Sequence, residues 1–105
     1  MIGGAGFIGS YIVDHLLSNT KTSEVTVYDN FSSGKLWHLK DHKNDKRLHI
    51  FENDIYDDEI FEACKNKDVV FLLAANPDIS KAVEEPDIDF KQGTVLTQIV
   101  LEGMR

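Results

Sequence analysis

Apolar residues recur at helical spacing through Ile8, Ile12, Val13, Leu16 and Leu17, and the pattern ends at Ser18. The stretch "EVTVYD" at 24–29 is β-branched and aromatic and predicts a short buried strand. After the turn residues "FSSG" at 31–34, "KLWHLKDH" predicts about two helical turns with Leu36, Trp37 and Leu39 on its apolar side. "RLHIFE" at 47–52 predicts a second strand, and "DDEIFEACKN" a helix whose Asp57, Asp58 and Glu59 suit the positive end of the helix dipole. "DVVFLLAA" at 68–75 is apolar without alternation, the pattern of a strand buried on both faces of a parallel sheet. "PDIDFKQGTVLTQIVLEGMR" at 86–105 predicts one long helix carrying Ile88, Val95 and Ile99, with Pro86 in its first turn. Gly93 inside that helix costs about 1 kcal/mol relative to Ala.

Strands alternating with helices predict an α/β layer with parallel strands and right-handed crossovers. The stretch "GGAGFIGS" at 3–10 opens the first helix, yet only Met1 and Ile2 stand before it, where a buried strand is expected. The chain ends on a helix with no strand after it, so both ends look cut. The 105 residues make a single, partial domain.

Composition narrows the classes. With 42% hydrophobic and 28% charged residues the chain reads as globular. A net charge of −7 argues against nucleic-acid binding, which needs clustered Lys and Arg. The densest basic stretch, "KDHKNDKR" at 40–47, is interrupted by Asp41 and Asp45 and reads as a solvated face. No apolar run approaches the roughly 20 residues that span a bilayer, and no secretory signal opens the chain, so the expected location is cytoplasmic with no membrane partner. Cys64 is the one cysteine and is expected to pack as a small apolar residue beside the helix at 58–64. His38 and His42 lie at i,i+4, but no third ligand stands at a definable spacing, so no metal is expected.

Gly3, Gly6 and Gly9 carry the chemistry. The first glycine permits a tight turn, and the second leaves no side chain where a pyrophosphate approaches the backbone. The third lets the helix pack closely on the sheet, while free N–H groups at the helix head face the anion. Asp29 follows Gly9 by twenty residues, at the carboxyl end of the next predicted strand. A carboxylate there accepts hydrogen bonds from both hydroxyls of an adenosine ribose and repels a 2′-phosphate, favouring NAD over NADP. The alternative is an Asp29 that only caps or turns the chain. Asp54, after the following strand, is placed to receive the adenine amino group, or else to initiate a turn. Ala74 and Ala75 end the last strand with small side chains that leave room for a ligand.

"GGAGFIGSYIVDHLL", "VTVYDNFSSGKL", "NDIYD", "VVFLLAANPDI" and "LEGMR" together resemble the extended short-chain dehydrogenase/reductases. Within them the likeness is to NAD-dependent nucleotide-sugar epimerases and dehydratases, especially the UDP-glucose 4-epimerase-like members. It covers essentially the whole chain. The resemblance implies a Rossmann-like, doubly wound parallel sheet, here partial because the first central strand is largely missing. It implies that Gly3, Gly6, Phe7 and Ile8 line the pyrophosphate turn, and that Asp29, Asn30, Ser33 and Gly34 surround the adenosine ribose. Asp54 and Ile55 would flank the adenine, and Leu73, Ala74 and Ala75 would border the dinucleotide toward the nicotinamide.

The departures matter. Ile2 stands where the family usually has Thr, Leu72 where it has His, and Gly93 and Ile99 where it commonly has Asn. The family's Tyr-x-x-x-Lys is absent: Tyr11, Tyr28 and Tyr56 are followed four residues later by His15, Ser32 and Ile60. In that motif Tyr acts as the general acid/base and Lys lowers its pKa.

Three functional readings follow. The chain is the NAD-binding portion of a nucleotide-sugar epimerase, a non-catalytic dinucleotide-binding module, or a remnant without a ligand. Without the supporting strand it is expected to be a poor monomer whose exposed strand edges invite self-association or a strand-donating partner. A late start of the reading frame, gene decay and a second polypeptide that supplies the strand all remain as explanations.

Overall fold

A computed structural model describes all residues, 1–105. Helix α1, Phe7–Ser18, forms where the apolar spacing begins, and it buries Val13 and Leu17 together with the small Gly9 and Ser10. Strand β1, Val25–Asp29, is buried at all five positions. It pairs in parallel with β2, Leu48–Glu52, in a register running from Val25↔Leu48 to Asp29↔Glu52.

Side chains of β1 alternate between two apolar layers, as the pleat requires. Val25 and Val27 join Ala5, Val13, Leu17 and Leu39 on the α1 side. Tyr28 points the other way and, with Ile2, packs against Ile60, Ala63 and Cys64 of α2 (Glu59–Cys64) and Leu96 and Val100 of α4 (Leu96–Met104). Cys64 is buried there as a small apolar residue, and a Cβ on Gly103 would stand 3.3 Å from its Sγ.

The segment Met1–Gly3 supplies one rung of a central strand. Ile2 forms parallel bridges to Tyr28 on one side and Leu72 on the other. Tyr28 N–H donates to Met1 O and Gly3 N–H to Tyr28 O, both at 2.9 Å. Ile2 N–H donates to Phe71 O at 2.9 Å, and Leu73 N–H donates to Ile2 O at 2.8 Å. The order across the layer is therefore β2, β1, Met1–Gly3 and the Leu72 segment.

Three sequence expectations need correction. Residues 68–75 do not form a continuous strand buried on both faces: Val70, Leu72 and Ala74 pack on the α2/α4 core, whereas Val69, Phe71 and Leu73 are exposed. The single rung at Ile2 orders this segment only locally, and no helix covers its other face. The stretch Leu36–His42 is a 3₁₀ helix that buries Leu39 alone, leaving Leu36 and Trp37 exposed. The long helix at 86–105 is instead a π-helical segment, Phe90–Val95, leading into α4. Gly93 lies in that π segment, which absorbs the helix-breaking residue as a local bulge.

A short helix, α3 (Ile79–Glu84), precedes it. The Asp78 side chain caps α3 by accepting from the N–H of Ser80 and Lys81. No helix is long and apolar enough to cross a membrane.

Candidate functional site: the glycine turn and the carboxyl ends of the strands

The three motif glycines differ in what the fold asks of them. Gly3 has φ 79°, and a Cβ there would stand 2.6 Å from Ala74 N. A Cβ on Gly9 would stand 2.4 Å from Gly3 O, so α1 can lie against the turn only with glycine at that position. At Gly6 the nearest atom would be Gly3 O at 3.4 Å, an ordinary contact. The fold itself tolerates a methyl group at Gly6.

Gly6 is also the N-cap of α1 and brings no side chain to it. The N–H groups of Phe7 and Ile8 consequently find no acceptor within the chain. Unpaired donors at the head of a helix, with the helix dipole behind them, suit an anion. Phe7 and Ile8 are exposed around them, and Phe7 packs edge-on against Tyr11.

The Asp29 carboxylate meets this turn. Its Oδ2 accepts from Ala5 N–H and its Oδ1 from Phe31 N–H, both at 2.9 Å, and the residue is 8% exposed. A carboxylate oxygen accepts more than one donor, so each retains capacity. Gly34 is buried behind it, where a Cβ would stand 3.0 Å from Asp29 Oδ1. Ala5 is held from its carbonyl as well, by Lys35 N–H at 3.0 Å and His38 Nδ1 at 2.6 Å. A carbonyl only accepts, so His38 carries its proton on Nδ1.

Beyond β2, Asp54 Oδ2 accepts from Asn30 Nδ2 at 2.9 Å and Oδ1 from Tyr56 N–H at 3.2 Å. The Asp54 carbonyl receives the Tyr28 hydroxyl at 2.7 Å and Asp57 N–H at 3.0 Å. The turn expected of Asp54 is present, and its side chain still faces the site. Burial, reinforced by the carboxylates of Asp57, Glu59 and Asp54, pushes the Tyr28 phenol up to about 12.

A cavity of about 120 Å³ opens at the carboxyl ends of the strands. It brings together Gly3, Asp29, Asn30, Asp54, Ile55, Ala74 and Ala75. Gly6, Phe7, Ile8 and Gly9 lie on the adjoining turn and helix head, and Gly34 lies behind Asp29. Exposed Ser33 and Leu73 are outside the cavity wall. The wall also includes Asn53, Tyr56 and Gln92, which the sequence reading passed over. Tyr56 carries a local signal, standing two residues after Asp54. Gln92 carries none, because the π segment that turns it inward is invisible in the apolar pattern.

His38 and His42 do not converge. His42 Nε2 pairs with Asp14 Oδ1 at 2.6 Å, while His38 serves Ala5. Leu72 and Ile99 are half-buried against the α2/α4 core, and nothing lies within 4 Å of a Cβ built on Gly93.

Residues 1–105 match the NAD dependent epimerase/dehydratase family. The chain is 35% identical over 106 residues to a dTDP-glucose 4,6-dehydratase of Escherichia coli, covering 98% of this chain and 29% of that protein. It is 36% identical over 105 residues to a putative UDP-glucose 4-epimerase of Methanocaldococcus jannaschii, covering 98% and 32%. Among solved structures, the dTDP-glucose 4,6-dehydratase of Streptomyces venezuelae with NAD bound superposes with a TM-score of 0.88 at 27% identity, over 97% of this chain and 34% of that one. The chain thus spans 29–32% of the length of these two curated relatives. It belongs to the NAD dependent epimerase/dehydratase family.

Proposed function

We propose that this chain is the NAD-binding portion of a nucleotide-sugar epimerase of the UDP-glucose 4-epimerase type, with dehydratase chemistry as the related possibility within the family. The observation that carries the reading is the bond from Ala5 N–H to Asp29 Oδ2, which sets a buried carboxylate beside the helix head whose Phe7 and Ile8 N–H groups lack acceptors. The residues present fit a dinucleotide: a side-chain-free turn at Gly6, free amides for a diphosphate, and a carboxylate with spare acceptor capacity for ribose hydroxyls.

In this reading Gly3, Gly6, Phe7, Ile8 and Gly9 hold the pyrophosphate. Asp29, Asn30, Ser33 and Gly34 enclose the adenosine ribose. Asp54 and Ile55 flank the adenine, and Leu73, Ala74 and Ala75 border the nicotinamide side. NAD, when bound, supplies hydride transfer to and from the sugar. The chain's own part is to bind and orient it.

A second reading, a dinucleotide-binding module without turnover of its own, draws on the side chains near the site. None of Tyr11, Tyr28 and Tyr56 has a Lys four residues on, and Leu72 offers no titratable group. Titrating NAD while following backbone amide resonances tests the common element of both. Shifts at Ala5, Phe7, Ile8 and Asn30 are expected, and shifts confined to residues away from the glycine turn would contradict it.

A further inference from the structure

The His38 imidazole reaches back 33 residues to the Ala5 carbonyl, which its Nδ1 meets at 2.6 Å. The ring is half-buried, with the Trp37 ring edge-on at 4.2 Å between centroids. Lys35 N–H donates to the same carbonyl at 3.0 Å, and Asp29 Oδ2 takes the Ala5 N–H at 2.9 Å. Ala5, the residue before the N-cap of α1, is thus buried with both of its backbone polar atoms held by groups outside the glycine turn.

The Ala5 carbonyl is also the atom that α1 would claim if it grew backward. Gly6 O accepts from Ser10 N–H at 3.0 Å, the first bond of the helical ladder. One step earlier the same ladder would join Gly9 N–H to Ala5 O. That bond is not made, and Gly9 N–H, like those of Phe7 and Ile8, finds no acceptor in the chain. Within the turn, the Ala5–Gly6 peptide is fixed only by Gly6 N–H on Gly3 O, a long bond of 3.3 Å. Gly6 has no side chain to resist a rotation of that peptide. Turned toward α1, Ala5 O would satisfy Gly9 N–H and set a carbonyl oxygen at the positive end of the helix, where an anion belongs.

We propose that His38 is a positioning residue for dinucleotide binding: its Nδ1–H holds the Ala5 carbonyl away from α1 and keeps the helix head open for a diphosphate. The ligand in this inference rests on the dinucleotide reading. The tether itself does not, because it acts in the ligand-free chain. Lys35 N–H alone leaves the carbonyl with one outside donor instead of two.

His38→Asn and His38→Gln separate this role from packing. Asn carries its amide nitrogen on Cγ, the atom that bears Nδ1 in histidine, whereas Gln carries it one bond further out. In the whole chain without ligand, hydrogen exchange at the Gly9 amide is expected to slow about fivefold in His38→Gln, the worth of one hydrogen bond. In His38→Asn it is expected to keep the parent's rate. His38→Leu, which has no donor, is expected to repeat the Gln result. Calorimetric titration of the folded proteins with NAD is expected to show about fivefold weaker binding by His38→Gln and parental binding by His38→Asn. A side chain that only packed would leave Gly9 exchange unchanged or faster when replaced, and either result in both His38→Gln and His38→Leu would overturn the proposal. So would parental NAD affinity in those two variants. A parent chain that binds no NAD would defeat the dinucleotide reading instead, and Gly9 exchange, measured without ligand, would still decide whether His38 holds the carbonyl.

Discussion

The backbone N–H of Ala5 donates to Asp29 Oδ2 at 2.9 Å, joining the glycine turn to the end of β1 across 24 residues of sequence. Phe31 N–H occupies the other oxygen, so one buried carboxylate organises both the turn and the loop after the strand. Asp29→Ala leaves two donors without their acceptor. The expected loss of stability is about 1–3 kcal/mol, measured by urea denaturation. Asp29→Asn, which keeps one acceptor oxygen, is expected to lose less.

The glycines separate folding from binding. Gly3→Ala meets Ala74 N and an unfavourable φ, and Gly9→Ala meets Gly3 O, so both are expected to lower the melting temperature markedly. Gly6→Ala is expected to melt close to the parent and to bind NAD at least about tenfold more weakly, a loss of about 1.4 kcal/mol. Calorimetric titration beside a thermal melt checks both halves. Unchanged NAD affinity in Gly6→Ala would remove that residue from the site.

Tyr28 makes the stability sensitive to alkali. Its phenol ionises near 10 when unfolded and at about 12 in the fold. Between those values the unfolded chain has released a proton that the folded chain still holds, so unfolding gains as pH rises. The contribution is complete below pH 10 and gone once the pH passes about 12. Denaturation midpoints are expected to fall across that window, and less steeply in Tyr28→Phe. Phenolate absorbance should lose its latest-titrating component in the same variant.

Arg47 closes the end of α1. Its guanidinium donates to the carbonyls of Leu17 at 2.6 Å, Asn19 at 3.0 Å and Thr22 at 3.2 Å, and its hydrogen bonds to Asp45 hold that carboxyl down at about 2. Lys cannot reproduce a planar fork with several donors. Arg47→Lys is expected to speed hydrogen exchange in the last turn of α1 and to leave exchange in α4 unchanged.

What could be read from the chain alone followed local chemistry. The boundaries of α1, β1 and β2 stand within a residue or so of the expected ones, because their apolar periods are regular and bounded by turn residues. The meeting of Asp29 with the glycine turn was legible because glycine turn, strand length and carboxylate spacing agree. The run 68–75 misled because apolarity reports desire for burial, while burial itself depends on neighbours: the α2/α4 core receives Val70, Leu72 and Ala74, and Val69, Phe71 and Leu73 stay exposed. Asp78 and Ser80 hold a capping signal for α3 that is too short to show an apolar period. The basic stretch at 40–47 read as solvated, yet Arg47 reaches 30 residues back to Leu17, a contact that no local pattern encodes. The Tyr28 hydroxyl on the Asp54 carbonyl is likewise long-range and side chain to backbone.

The most direct measurement is paired calorimetry of NAD and NADP with the parent chain and with Asp29→Asn, each verified as folded. Binding of NAD, markedly weaker binding of NADP, and a narrowed difference between the two in Asp29→Asn are the predicted results. Equal or tighter binding of NADP by the parent, or no heat from either dinucleotide with folded protein, would contradict the account.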